Sequence, residues 1–337
     1  MTNNELGKTI IDITQSGKGI LAADESTPTI KKRFDSIKLE STEENRRAYR
    51  ELLFTTPGIN EFISGVILFD ETLRQKNKHG KPFPKVLSDQ GIVPGIKVDK
   101  GTIPLVNSAG DKITEGLDGL EKRLEEYKQL GARFAKWRAV YSISDHNPRC
   151  LSIKLNAISL ARYAAICQNQ NIVPIVEPEV LMDGDHTIER CIDVSRKVFH
   201  EVFHQLHKQH VVLENIILKP SMVIFGTKCK HQADVKDVAE NTLEILRETV
   251  PAAVPTINFL SGGQSDEIAT AHLNAMNAST TIKPWNLSFS YGRALQAPCL
   301  KAWAGKTENV QIAQQALYKR AKLNSKACLG KYDRKME

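Results

Sequence analysis

The chain has 337 residues, of which 41% are hydrophobic and 25% charged, with a net charge of +7. That is the balance of an ordinary globular protein with a sizeable core. The basic residues are interspersed with acids rather than gathered in a run with aromatics, so a small anionic substrate accounts for the charge without a nucleic-acid partner. The six cysteines (Cys150, Cys167, Cys191, Cys229, Cys299 and Cys328) lack CxxC spacing and read as reduced thiols with no disulfide framework. The apolar runs read as too short to span a bilayer. Residues 1–8 lack the basic start and apolar stretch of a signal peptide, so the expectation is a cytoplasmic protein with no membrane partner.

In chain order, Gly17-x-Gly19-x-x-Ala22 imitates a dinucleotide fingerprint, but it precedes the apolar element at 19–23 instead of following a strand, and reads as a turn. Asp24 to Thr27 comes at the C-terminal end of that element. Ser41 with Glu44 predicts a capping box for a helix running through Arg50 and Leu53. An apolar strand follows at 63–69, then 91–99, and leucines at 117, 120, 124 and 130 keep helical spacing up to Gly131. A strand at 134–138, a helix at about 156–168 and a strand at 172–180 come next. A helix at 187–210 leads to the stretch Asn215-Ile-Ile-Leu-Lys-Pro-Ser-Met-Val223, a buried strand that ends at Pro220. Helix 235–249, strand 257–260, helix 266–277, strand 286–291 and a helical C-terminal segment from about 308 complete the chain. Eight strands alternate with helices without a break in composition, which predicts a (β/α)8 TIM barrel as one domain over 1–337.

Barrels carry their chemistry at the carboxyl ends of strands, and Asp24, Lys97, Lys136, Glu177 and Lys219 all fall there. Residues two apart on a strand share a face, so Lys97 with Asp99, Lys136 with Arg138, and Glu177 with Glu179 each set two charges on one side. Lys219 lies inside an apolar run. Burial there, with a like charge on Lys136, is expected to lower its pKa toward the range in which a free amine attacks a carbonyl, and Glu177 is placed to move the protons. Ser261-Gly262-Gly263 and Gly292-Arg293 follow the seventh and eighth strands, where barrels commonly bind phosphate. His200, His204 and His207 have a spacing that could hold zinc, but the interleaved Val198, Phe199, Val202, Phe203 and Leu206 form the buried stripe and leave the histidines as an exposed polar face.

The segments Gly19-Ile-Leu-Ala-Ala-Asp-Glu-Ser26, Gly95-Ile-Lys-Val-Asp-Lys-Gly101, Phe134-Ala-Lys-Trp-Arg138, Val173-Pro-Ile-Val-Glu-Pro-Glu179, Leu218-Lys-Pro220, Leu260-Ser-Gly-Gly-Gln-Ser265 and Ser288-Phe-Ser-Tyr-Gly-Arg-Ala294 together resemble class I fructose-bisphosphate aldolase. The resemblance implies a cytoplasmic homotetramer with no metal and no cofactor, which reversibly splits fructose 1,6-bisphosphate into dihydroxyacetone phosphate and glyceraldehyde 3-phosphate. It implies Lys219 as the Schiff-base lysine, Glu177 as the main proton carrier and Asp24 as the group that handles the C4 hydroxyl proton, supported by Lys136 and Glu179. It assigns the ketone-side phosphate to Ser261, Gly262, Gly263, Gly292 and Arg293 with Ser290. The other phosphate goes to Ser26, Thr29, Arg33 and Lys97, with Arg138 nearby and Arg46 as a further candidate. Three departures stand out. Thr29 replaces a usual serine and Ser221 an expected asparagine, and the segment 330–337 lacks a mobile tail ending in tyrosine, so proton exchange and the preference for bisphosphate are expected to differ.

Overall fold

A computed structural model describes residues 5–337 of the chain, so the reading of residues 1–8 falls partly outside the described residues. The strands in chain order are β1 (Gly19–Ala23), β2 (Ile63–Leu68), β3 (Val93–Lys97), β4 (Thr102–Pro104), β5 (Lys112–Thr114), β6 (Phe134–Tyr141), β7 (Val173–Val180), β8 (Ile217–Leu218), β9 (Thr256–Phe259) and β10 (Asn286–Tyr291). Eight of them close a parallel barrel in the order β1, β10, β9, β8, β7, β6, β3, β2, while β4 and β5 form a separate antiparallel hairpin. These strands are short, almost wholly buried and rich in Val, Ile and Leu, as a sheet covered on both faces requires.

Helices α1 (Glu5–Ile13), α2 (Thr27–Asp35), α3 (Glu43–Phe54), α4 (Asp70–Arg74), α5 (Phe83–Ser88), α6 (Leu120–Gln129), α7 (Cys150–Asn169), α8 (Ile188–Lys208), α9 (Val235–Thr249), α10 (Asp266–Ala278), α11 (Arg293–Trp303) and α12 (Val310–Cys328) surround the barrel. Two apolar clusters result. The larger lies between helices and strands, and the smaller fills the barrel with Ile20, Ile67, Val93, Phe134, Val173, Ile175 and Ile217. Ile10 and Ile13 of α1 join the smaller cluster and close the amino-terminal end of the barrel. A packed interior therefore leaves only the opposite mouth for chemistry. Phe134 fills so much of the barrel that a Cβ at Gly95 would lie 2.2 Å from its ring, so only glycine fits there.

The structure departs from the sequence reading at several points. The cap of α3 is Thr42, whose Oγ1 accepts the Asn45 N–H at 3.1 Å, and not Ser41, whose carbonyl accepts from Arg46 instead. Helix α7 begins at Cys150 and β6 runs on to Tyr141, both beyond the predicted limits. Helices α1, α2, α4, α5 and α11 and the β4–β5 hairpin were not foreseen; α2 carries a proline in its first turn and α11 has Pro298 inside it. Helix α7 is also long and apolar enough by composition to cross a membrane, contrary to the reading of short apolar runs, yet half of it is buried, with Ala157, Leu160, Ala161 and Ala164 in the core. The GxGxxA segment is a turn: Gly17 has φ of +73° and Gly19 opens β1.

At the C-terminal end of the described chain, Tyr332 is buried. Its hydroxyl donates to Glu337 Oε1 at 2.7 Å, and the Glu337 carboxylate takes both terminal nitrogens of the buried Arg320 at 2.7 and 2.9 Å. This segment is docked against α10, where Asn274 Oδ1 accepts the Tyr332 N–H.

Candidate active site

The carboxyl ends of the barrel strands surround a cavity of about 380 Å³. Its wall includes Asp24 from the end of β1, Lys97 from β3, Lys136 and Arg138 from β6, Glu177 and Glu179 from β7, and Lys219 one residue past β8. Strand β8 has only two residues, but the Lys219 N–H donates to Val176 O at 2.8 Å and so extends the ladder by one rung. The rung fixes the Lys219 backbone, and Pro220 ends the pairing because it has no N–H to give. Ser221 then accepts the Val180 N–H through Oγ at 3.0 Å, tying the ends of β7 and β8 together.

Opposite charges alternate across the cavity floor. Lys219 Nζ stands 2.9 Å from Glu177 Oε1, Lys136 Nζ stands 2.8 Å from Glu177 Oε2, and Lys136 donates to Asp24 Oδ2 at 3.1 Å. The Lys136–Glu177 contact is a charge contact without hydrogen-bond alignment, because the only aligned bond of that ammonium in the row goes to Asp24. Lys219, Glu177 and Lys136 are buried, the first two only 4% exposed, and Asp24 is 11% exposed. Isolation of such charges would be prohibitive, so each stabilises its neighbour's ionised form. Burial pushes the Asp24 carboxyl up, but Lys136, Lys219 and Lys97 outweigh it and hold the group far below the usual carboxylate range. Burial likewise opposes ionisation of Glu177, and Lys136, Lys219 and Arg138 reverse it, so its pKa is lowered. Burial lowers the Lys136 pKa, but Asp24, Glu177 and Asp99 raise it above the ordinary lysine value. At neutral pH the floor therefore holds two carboxylates braced by a permanent ammonium.

Around this floor the rim is built for anions. Ser261, Gly262, Ser290, Gly292 and Arg293 line one side, and Gly262 adopts φ of +54°, a left-handed turn that glycine makes without strain. Arg293 donates to the carbonyls of Gly262 and Gln264 at 3.0 and 2.9 Å, which joins the two phosphate-loop candidates into one unit. The Ser290 hydroxyl is buried and without a partner at this wall. Ser26 and Thr29 line another part of the cavity with their hydroxyl oxygens 3.1 Å apart, and Lys97 rests on the Asp99 carboxylate at 2.6 Å. Arg138 contacts Glu179 through its Nε.

Not every predicted residue reaches the cavity. Arg46 points from α3 to Glu71 of α4, at 2.6 and 2.8 Å, and is not part of the lining, its guanidinium being held by that carboxylate. Gly263 also stays outside the lining, with its N–H turned to the Met182 sulfur at 3.0 Å. Arg33 does line the cavity, but it belongs with Gly292: an Nη lies 3.6 Å from where a Cβ on Gly292 would stand. His200, His204 and His207 lie on the exposed face of α8 and none lines the cavity. Among the described residues no cluster of three or more His, Cys, Asp or Glu is arranged to hold a metal. Glu25, Asp99 and Thr102 are lining residues that were not singled out as ligands, although Asp99 shares a strand face with Lys97.

A buried amine beside a carboxylate, under a rim of glycines, hydroxyls and guanidiniums at the mouth of a (β/α)8 barrel, defines an enzyme of carbonyl chemistry on phosphorylated substrates. The family model described as fructose-bisphosphate aldolase class-I matches residues 5–337. A probable fructose-bisphosphate aldolase class 1 of Xanthomonas campestris pv. campestris is 57% identical over 333 residues, covering 98% of this chain and 99% of that one. A cytoplasmic isozyme of fructose-bisphosphate aldolase from Spinacia oleracea is 56% identical over 320 residues, covering 95% and 89%. The solved structure of fructose-bisphosphate aldolase from Plasmodium falciparum, in a ternary complex with TRAP and a small-molecule inhibitor, superposes with a TM-score of 0.96 at 53% identity, over 98% of this chain and 95% of that one. The chain belongs to the class I fructose-bisphosphate aldolases.

Proposed function

We propose that the cavity cleaves fructose 1,6-bisphosphate through an imine on Lys219, and that the alternating row Lys219, Glu177, Lys136, Asp24 is the machinery. The observation that carries this reading is the 2.9 Å approach of Lys219 to a buried, ionised carboxylate. Glu177 takes a proton from the Lys219 ammonium, and the free amine adds to the C2 carbonyl of the open-chain sugar. The same carboxyl then returns a proton to the carbinolamine hydroxyl, which leaves as water to give the iminium. Asp24 removes the C4 hydroxyl proton, the C3–C4 bond breaks, and its electron pair enters the iminium to form an enamine as glyceraldehyde 3-phosphate departs. Protonation of the enamine at C3 and addition of water to the resulting iminium release dihydroxyacetone phosphate and restore the lysine. Lys136 sets Asp24 and Glu177 in the basic form before each takes its proton.

Ser261, Gly262, Ser290, Gly292, Arg293 and Arg33 take the ketone-side phosphate in this reading, and Ser26, Thr29 and Lys97 take the other, with Arg138 and Glu179 between them. Lys97 would exchange its Asp99 carboxylate for phosphate, a swap of one anion for another. We infer further a cytoplasmic homotetramer, for which the spinach relative's cytoplasmic designation is support for the compartment alone. The test is release of triose phosphates from fructose 1,6-bisphosphate by the purified chain at neutral pH with a chelator present. Turnover of at least about 1 per second is expected, at the low end of ordinary enzymes. No product, or product lost on chelation, would overturn the reading.

A further inference from the structure

Beneath the Gly292 end of the cavity lies a polar cluster centred on Glu25, a carboxylate that is only 4% exposed. Three helices supply its partners. Arg33 of α2 contacts Oε1 through Nη1, Arg50 of α3 reaches Oε2 at 2.6 Å, and Gln296 of α11 donates Nε2 to Oε1 at 2.8 Å and to the Ala22 carbonyl at 2.7 Å. The two arginines differ in setting. Arg50 is sealed, with 3% of its side chain exposed, whereas Arg33 is 22% exposed and lines the cavity beside Gly292. Arg50 alone would neutralise the carboxylate, so a second guanidinium on the same acid leaves a surplus positive charge, and that surplus faces the cavity.

We infer that Glu25, fixed by Arg50 and Gln296, is a positioning residue that holds the Arg33 guanidinium on the Gly292 subsite in readiness for a phosphate dianion. An arginine free in solution loses rotamer freedom when it clamps an anion, and one already clasped on its far side has lost that freedom before binding. With one Nη occupied by Glu25, the remaining donors of the fork stay free to take phosphate oxygens. A plain structural ion pair would not need to open on the cavity at all. The inference rests on the proposed aldol reading, from which the test must be separable.

The test compares wild type, Glu25→Gln, Arg33→Ala and the double variant. In Glu25→Gln the KM for fructose 1,6-bisphosphate and the Kd for dihydroxyacetone phosphate should rise roughly tenfold, the scale of one charge-assisted hydrogen bond. The same variant should change kcat by less than about threefold, because the imine chemistry lies elsewhere. Borohydride trapping of unphosphorylated dihydroxyacetone should be unaffected. In the Arg33→Ala background the Glu25→Gln effect on KM should vanish, since Glu25 acts through Arg33. Should the loss of a buried charge unfold Glu25→Gln, Gln296→Met removes one holding donor without changing charge and should raise KM about threefold, again only when Arg33 is present. An unchanged KM, or an equal rise with and without Arg33, overturns the role given to Glu25. Wild-type cleavage in the same assay separates the claims: its failure would sink the aldol reading, whereas an active wild type beside an unaltered variant would sink only the positioning role.

Discussion

Lys219→Met removes cleavage of fructose 1,6-bisphosphate almost entirely, by about five orders of magnitude in kcat, while the protein stays folded. Without the amine there is no covalent electron sink, and nothing else in the cavity can take the electron pair of the C3–C4 bond. Lys136 does not substitute for it, because its pKa is raised by Asp24, Glu177 and Asp99 and it remains an ammonium. The fold tolerates the change because methionine matches the lysine stem in length and Glu177 keeps Lys136 at 2.8 Å. Breaking a buried pair outright costs about 3–5 kcal/mol when it strands a charge, and here Lys136 stays beside both Glu177 and Asp24, so the loss of stability should fall below that. Steady-state turnover with circular dichroism on the same sample checks both halves.

The second large effect belongs to Glu177. Glu177→Gln should lower kcat by about 10²- to 10⁴-fold, the usual contribution of a positioned acid–base group, and should leave a slow residual imine formation. The variant loses the base that takes the Lys219 proton and the acid that expels water, so both formation and hydrolysis of the imine slow down. The variant also changes the response to acid. Asp24 and Glu177 have lowered pKa values in the folded state, so each adds stability that is fully present above the ordinary carboxylate range and is lost as pH falls through the folded value. Wild type should therefore lose stability on acidification below about pH 4, where unfolded carboxylates begin to bind protons, and Glu177→Gln should lose it less steeply. Urea melts at several pH values measure the slope. A steeper loss in the variant would contradict the charge arrangement described for the floor.

The barrel and the charged row at its mouth were legible because their signals are local. Lys219 stands out against Ile216, Ile217 and Leu218, and Glu177 and Glu179 against the valines of β7, because a charge inside an apolar strand must have a reason. Residues whose meaning depends on a distant partner were harder to read. Arg46 sits four residues beyond Thr42, with nothing nearby to show that Glu71 would claim it. Glu25, adjacent to Asp24, carries no local signal of its role, because its partners come from three separate helices, α2, α3 and α11. The resemblance groups Arg33 with Ser26 and Thr29, yet the fold brings its guanidinium close to Gly292. The spacing of Ser41 and Glu44 fits a capping box, yet the next hydroxyl, Thr42, caps α3 by accepting the Asn45 N–H. Gly95 carried no readable reason until Phe134 was seen to fill the space where its Cβ would be.

The central claim is that Lys219 forms a covalent imine with the ketose, and borohydride reduction in the presence of dihydroxyacetone phosphate tests it most directly. Intact mass should show one reduced adduct per chain, and peptide mapping should place it on Lys219, with the same yield in chelator. An adduct on Lys136 or on any other lysine, or no adduct in a folded and active sample, would contradict the account.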